Sequence, residues 1–90
     1  MYVWDEGKRK SNLRKHGLDF KDADLVYENP NKFTYDASRY DEYRLIDVAL
    51  AVVQGRVLTL VYTENEDKVR IISFRHASRE ERKRYEEDSK

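Results

Sequence analysis

Val48-Ala49-Leu50-Ala51-Val52-Val53-Gln54-Gly55-Arg56-Val57-Leu58-Thr59-Leu60-Val61-Tyr62-Thr63 reads as two strands and the turn between them. The first half is a continuous apolar run, as expected of a central strand that begins by alternating near Tyr43. Gln54-Gly55 supplies the turn signal. Arg56 to Thr63 is rich in β-branched and aromatic residues, which favour a pleated, half-buried surface. Downstream, Glu64-Asn65-Glu66-Asp67 reads as a polar turn and Lys68 to Arg75 as the last strand. Upstream, Lys32 to Asp36 alternates, with Phe33 and Tyr35 on one face. Strands joined by so few residues make an antiparallel meander.

Outside the meander the period changes to that of a helix. Asp5 suits an N-cap, Lys8 to His16 contains good helix formers, and Gly17 fits the left-handed residue that closes a helix. At 100° per residue, Lys8, Asn12, Lys15 and His16 fall on one face. Leu13 lies off to one side, so this helix lacks an apolar stripe and must be positioned by something other than amphipathic burial. Phe20 to Glu28 repeats the helical period until Asn29-Pro30 ends it. Tyr2-Val3-Trp4 is a short edge strand. Ser78-x-x-Glu81 is a capping box opening a helix from Arg79 to about Asp88. The pairs Glu80/Arg84, Arg82/Glu86 and Lys83/Glu87 are spaced to support it, and Tyr85 is its only large apolar residue. The fold class is α+β, a small antiparallel sheet flanked by two N-terminal helices and one C-terminal helix.

The composition agrees with a single small domain over residues 1–90. Eighteen basic and eighteen acidic side chains give zero net charge, and 40 % of residues are charged, against about 25 % in an average soluble domain. No cysteine is present, which excludes disulfides and thiolate metal sites. The longest apolar run, Val48 to Val53, falls far short of the ~20 residues that span a bilayer. No signal peptide is visible at the N-terminus, so a cytoplasmic protein with no cofactor, no metal and no membrane contact is expected. The charge is unevenly laid out. Residues 1–17 carry five basic against two acidic side chains, and residues 18–47 four basic against eight acidic. A site for a polyanion must therefore be local, built where basic ends of the chain meet.

Several chemistries close quickly. The three glycines are isolated, so there is no phosphate-cradling loop, and His16 and His76 make no metal spacing. The last strand offers more. Strict alternation sends Val69, Ile71, Ser73 and Arg75 to one face and Arg70, Ile72 and Phe74 to the other. Arg75 leads into His76 and the helix carrying Arg79, Arg82 and Tyr85, with Glu64 across a short turn. Guanidinium groups, a carboxylate, an imidazole and a phenol near one sheet end suit metal-free cleavage of RNA. Arginine matches phosphate oxygens and never loses its charge. Glu64, His16 or His76 is then the base, and Tyr85 or a histidine the acid. Each residue also has a plainer reading: surface ion pairing for Arg70 and Arg75, complementing a helix end for His16, packing for Tyr85, a turn position for Glu64.

The chain resembles a known family in Trp4-Asp5-x-x-Lys8, Asn12-x-x-Lys15-His16-Gly17-x-x-Phe20, Ala23, Asn29-Pro30, Glu42-x-Arg44 and Leu58-x-Leu60-Val61-Tyr62-Thr63-Glu64. Arg70-Ile71-Ile72-Ser73-x-Arg75-x-Ala77 and Glu81-Arg82-x-x-Tyr85 complete the match. These blocks are similar to the BrnT toxins of bacterial type II toxin–antitoxin systems. Phe74, His76 and Ala49 depart from the family pattern. The resemblance implies a RelE-like α+β fold and an endoribonuclease that blocks translation. It also implies a cognate BrnA-like antitoxin with a ribbon-helix-helix part, promoter DNA bound only through the antitoxin complex, and a toxin dimer within a heterotetramer. By position it implies functional roles for Lys15, His16, Glu64, Arg70, Arg75 and Tyr85. The expected catalytic set is Glu64, Arg70, Arg75, His16 and Tyr85, and the expected RNA-binding set is Lys15, Lys8, His76, Arg79 and Arg82. The competing class is a non-catalytic module that binds a partner and, with it, DNA or the ribosome.

Overall fold

In the computed structural model, which describes residues 1–37 and 46–88, the strand Arg56–Asn65 (β4) lies at the centre of a five-stranded sheet. Its alternation serves two layers. Leu58, Leu60 and Tyr62 are buried on one face, while Val57 and Val61 pack on the other. Asp47–Val53 (β3) and Lys68–His76 (β5) flank it, both antiparallel. Phe33–Asp36 (β2) pairs outside β3, completing the expected meander. Tyr2–Val3 (β1) is an edge strand, as expected, and runs parallel to β5. Residues 43–45, read as the start of the central strand, lie outside the described residues, as do Glu42 and Arg44.

The turns follow their residues. Gln54 and Gly55 have φ of 50° and 78°, the paired positive values of the tight hairpin whose twist matches its strands. The second hairpin is tighter than the sequence suggests. Glu64 and Asn65 pair with Val69 and Lys68, so only Glu66 and Asp67 turn, with Glu66 at φ 56°.

Glu6–His16 (α1) begins where Asp5 accepts the Lys8 N–H at 3.0 Å and ends on Gly17 at φ 72°. Its one buried residue is Asn12. The missing apolar stripe is replaced by polar anchors. Asn12 Nδ2 donates to the carbonyls of Phe74 at 2.7 Å and Leu18 at 3.0 Å, and its Oδ1 accepts the Phe74 N–H at 3.2 Å. An amide side chain thus stands in for a neighbouring strand where β1 is too short to cover β5. Arg9 adds a forked pair to Asp19 at 2.9 and 3.1 Å. The stretch read as one helix from Phe20 to Glu28 is a 3₁₀ turn, Phe20–Asp22, followed by Asp24–Tyr27 (α2). Asp19 accepts the Lys21 N–H and tightens that turn, while Phe20, Ala23 and Val26 still reach the core. Arg79–Asp88 (α3) covers the opposite face, with Tyr85 packed near Val48, Leu50 and Ala77. Two helices on one face and one on the other give the RelE-like α+β architecture. The three expected ion pairs along α3 do not form; Arg84 lies over the Phe33 and Tyr35 rings instead.

One irregularity corrects the reading of β5. Val61 pairs with Ser73 but Tyr62 pairs with Ile71, so Ile72 is an extra residue, a β-bulge. Beyond it the faces exchange. Phe74 is buried with Val69 and Ile71 under the N-terminal helices, and Arg75, opposite Thr59, joins Arg70, opposite Thr63, on the α3 face. Burial of the Phe74 ring is what the bulge achieves.

Candidate functional site

The α3 face of β5 carries Arg70, Ser73 and Arg75 in order, with Val61 opposite Ser73. The partners of the two arginines are four residues apart on β4, which sets them about 13 Å apart along the strand. Arg70 is exposed and, among the described residues, has no hydrogen-bond or ion-pair partner. Arg75 is half-buried and held. Its Nη1 and Nη2 donate to Glu81 Oε1 at 2.7 Å and Oε2 at 3.0 Å.

Glu81 is the hub of this end of the sheet. Besides Arg75 it accepts the Ser78 N–H at 2.8 Å and the Thr59 hydroxyl at 3.2 Å. The Glu81 N–H closes the expected capping box on Ser78 Oγ at 3.1 Å. Burial pushes the Glu81 carboxyl up, but the bonds from Arg75, the Ser78 N–H and Thr59 outweigh it and hold the group below the usual range. Arg75 is kept charged by its bonds to Glu81, against burial, with further support from the charge of Glu81 and the proximity of Tyr35. The capping box made Glu81 visible in the sequence. Its grip on Arg75 depends on how α3 docks, which no local pattern encodes.

A second basic element meets β5 from its edge. Lys8, Lys15 and His16 line a cleft of about 210 Å³ together with Ser11, Asn12, Ile72 and Ser73. The polar face of α1 therefore looks at the bulged segment, and Ser73 belongs to both this cleft and the arginine row. His76 and Arg82 border a separate cleft of about 570 Å³ with Arg56, Val57 and Glu86. Arg79 is exposed on the first turn of α3.

Glu64 and Tyr85 lie elsewhere. Glu64 follows Leu58, Leu60 and Tyr62 onto the helical face, where it accepts the Tyr27 hydroxyl at 2.6 Å. Arg70, which pairs with the adjacent Thr63, projects from the other face. Around Glu64, Tyr27 stacks edge-on against Tyr2 and Tyr62, and Tyr2 donates to Glu28 at 2.5 Å. Burial, then the charges of Asp47 and Glu64, push the Tyr62 phenol up to about 12. Burial, then Glu64 and Asp36, raise Asp47 as well. Tyr85 is 7 % exposed and its hydroxyl donates to the Asn31 carbonyl at 3.3 Å. The structure thus brings Arg70 with Arg75, Lys8 with Lys15 and His16, and His76 with Arg82; Glu64 and Tyr85 join none of these groups.

Tyr35 and Arg84 carry no functional signal in the sequence, only places on a strand face and in a helix pair. The Arg84 guanidinium lies 4.6 Å from the Tyr35 ring centroid and 5.5 Å from that of Phe33. Alternation put Phe33 and Tyr35 on one face of β2; only the docked α3 reveals that this is the arginine face. Among the described residues, no three His, Cys, Asp or Glu side chains converge as a metal-binding group, and no helix is long and apolar enough to cross a membrane.

A family model described as the ribonuclease toxin BrnT of type II toxin–antitoxin systems matches residues 4–81. The chain belongs to the BrnT toxin family. As a BrnT toxin it has a ribonuclease role and an antitoxin partner within a toxin–antitoxin system. The matched span takes in the basic face of α1, both β5 arginines and Glu81, and stops short of Arg82 and Tyr85. No curated protein matches the chain.

Proposed function

We propose that this BrnT-family chain, acting as one toxin unit over residues 1–90, cleaves RNA by metal-independent transesterification across the α3 face of β5. The 2′-hydroxyl loses its proton and attacks the adjacent phosphorus. The phosphorane gathers negative charge, and the 5′-oxygen leaves with a proton, giving a 2′,3′-cyclic phosphate and a 5′-hydroxyl. Arg75 meets the phosphorane charge with forked donors that stay protonated, and Arg70, about 13 Å along the strand, holds a flanking phosphate. Arg75 meets that charge while anchored, because Glu81 takes only part of its donor set. His16, in the cleft that shares Ser73 with the arginine row, takes the 2′-hydroxyl proton and returns it to the leaving 5′-oxygen. Lys8 and Lys15 draw the strand toward the β5 edge, and His76, Arg79 and Arg82 extend the basic track along the start of α3. Tyr85 seats α3 over the sheet and Glu64 braces the tyrosine cluster behind it.

The observation that carries this reading is the shared face of Arg70 and Arg75, with Arg70 held by no carboxylate among the described residues. Zero net charge fits as well, since a local pair of forks suffices where bulk charge is lacking. RNA cleavage inhibits translation, and a ribbon-helix-helix antitoxin of the BrnA kind neutralises the chain, the two together forming a heterotetramer that binds promoter DNA through the antitoxin. Expression of the chain should arrest growth, and co-expression of a neighbouring short ribbon-helix-helix protein should relieve it. Arg70→Ala and Arg75→Ala should each remove toxicity while keeping a cooperative unfolding transition. RNA bound tightly but left intact would favour the non-catalytic module instead.

A further inference from the structure

We infer that Tyr35 and Arg84 form a nucleobase-stacking site beside the Arg75–Glu81 pair, so that the protein holds one unpaired RNA base while its arginines hold the phosphates. The inference rests on the ribonuclease reading of this face and adds a base-binding element to it. Tyr35 is half-buried on β2, with its ring over the α3 face and its hydroxyl without a hydrogen-bond partner among the described residues. The Phe33 ring adjoins it, centroids 6.1 Å apart, and buttresses it from the side.

What covers Tyr35 is a removable lid. Arg84 is exposed, lies 4.6 Å from the ring centroid, and makes no ion pair with any described carboxylate. An unpaired guanidinium over an aromatic face is held by a modest attraction, and a base offers both groups a better surface. Sequence-tolerant recognition of single-stranded RNA uses this pair of chemistries, bases stacking on aromatic rings and on guanidinium planes. The base takes the face of Tyr35 and Arg84 closes on its outer side, giving a three-layer stack.

The position suits a strand already held by Arg75. Glu81, which grips Arg75, and Arg84 are three residues apart on α3 and so neighbours on one stripe, about 5–6 Å between Cβ atoms. Tyr35 also sits near enough to Arg75 for its hydroxyl to influence the guanidinium. Tyr35, Val48, Val61 and Ser73 form one row across the sheet, so a strand crossing from Ser73 meets the ring.

The probe is a single-stranded 2′-O-methyl oligoribonucleotide carrying 2-aminopurine, which cannot be cut and whose fluorescence falls on stacking. Wild-type protein should quench it on binding. Tyr35→Phe should bind and quench like wild type, because the ring is kept. Tyr35→Ala should bind about tenfold or more weakly and lose the quench. Arg84→Ala removes only an exposed cation and so keeps the fold; it should lose several-fold in affinity and part of the quench. Arg84→Ala that binds and quenches as wild type overturns the stack, whether or not Tyr35→Ala folds. A Tyr35→Phe protein that fails to bind also overturns it, since the hydroxyl would then be the active group. Wild-type protein that binds no RNA brings down the ribonuclease reading itself, whereas binding without any dependence on Tyr35 and Arg84 brings down only the stack.

Discussion

Arg70 and Arg75 share a face of the sheet although five positions separate them, an offset that puts residues of a regular strand on opposite faces. The extra residue is Ile72, unpaired where Val61 meets Ser73 and Tyr62 meets Ile71. Everything downstream of the bulge depends on it: the burial of Phe74, the reach of Arg75 to Glu81, and the docking of α3.

Deleting Ile72 should nonetheless be tolerated. With the extra residue gone, Tyr62 still meets Ile71 and Val61 still meets Ser73 in a regular ladder, and Val69, Ile71 and Phe74 keep the helical face. Phe74→Ala, by contrast, should cost about 3–5 kcal/mol, a large share of a small domain's stability. Urea denaturation should show the deletion variant near wild type and Phe74→Ala far less stable. A deletion variant that unfolds would contradict this register.

Asn12 is the anchor that substitutes for an apolar stripe on α1. Asn12→Leu keeps the volume but strands the Phe74 N–H and carbonyl, each worth about 1–3 kcal/mol when buried without a partner. Thermal melting should show a clear loss, and hydrogen exchange should show the Phe74 amide losing protection before the centre of β4. A fully stable leucine variant would contradict the strand-mimic role.

The sequence carried the elements and missed their couplings. The two hairpins, the Asp5 cap, the Gly17 stop and the Ser78/Glu81 box were all legible, because each is set by two to four adjacent residues. The bulge was not, since Ile71-Ile72-Ser73-Phe74 suits either face and only the competition for core volume decides. Nor was the Tyr27 bond to Glu64, which couples residues thirty-seven positions apart and turns the carboxylate away from the arginines. The basic face of α1 was read correctly, because its spacing alone fixes it; what it looks at had to come from the packing.

Two carboxyls should give pH dependences of opposite sign. Glu81 lies below its ordinary 4.5 in the folded protein, where the bonds from Arg75 and Ser78 outweigh burial. The unfolded chain then takes up the proton first, so its stabilisation is present above pH 4.5 and lost as pH falls through the lower folded value. Asp47 is raised above 3.8 by burial and by Glu64 and Asp36. Its folded form holds the proton longer, so stability declines as pH rises from 3.8 through the higher folded value. Denaturation curves across acid pH should flatten on the acid side for Glu81→Gln, and Asp47→Asn should be more stable than wild type at neutral pH. Profiles that superimpose on wild type would refute both assignments.

The most direct test incubates purified wild-type, Arg70→Ala and Arg75→Ala proteins with single-stranded RNA in excess EDTA and maps the product ends. Wild-type protein should cut and leave 2′,3′-cyclic phosphates, with each variant slower by about 10²-fold or more while still folded. Cleavage that stops on chelation, or two arginine variants that cut at the wild-type rate, would contradict it.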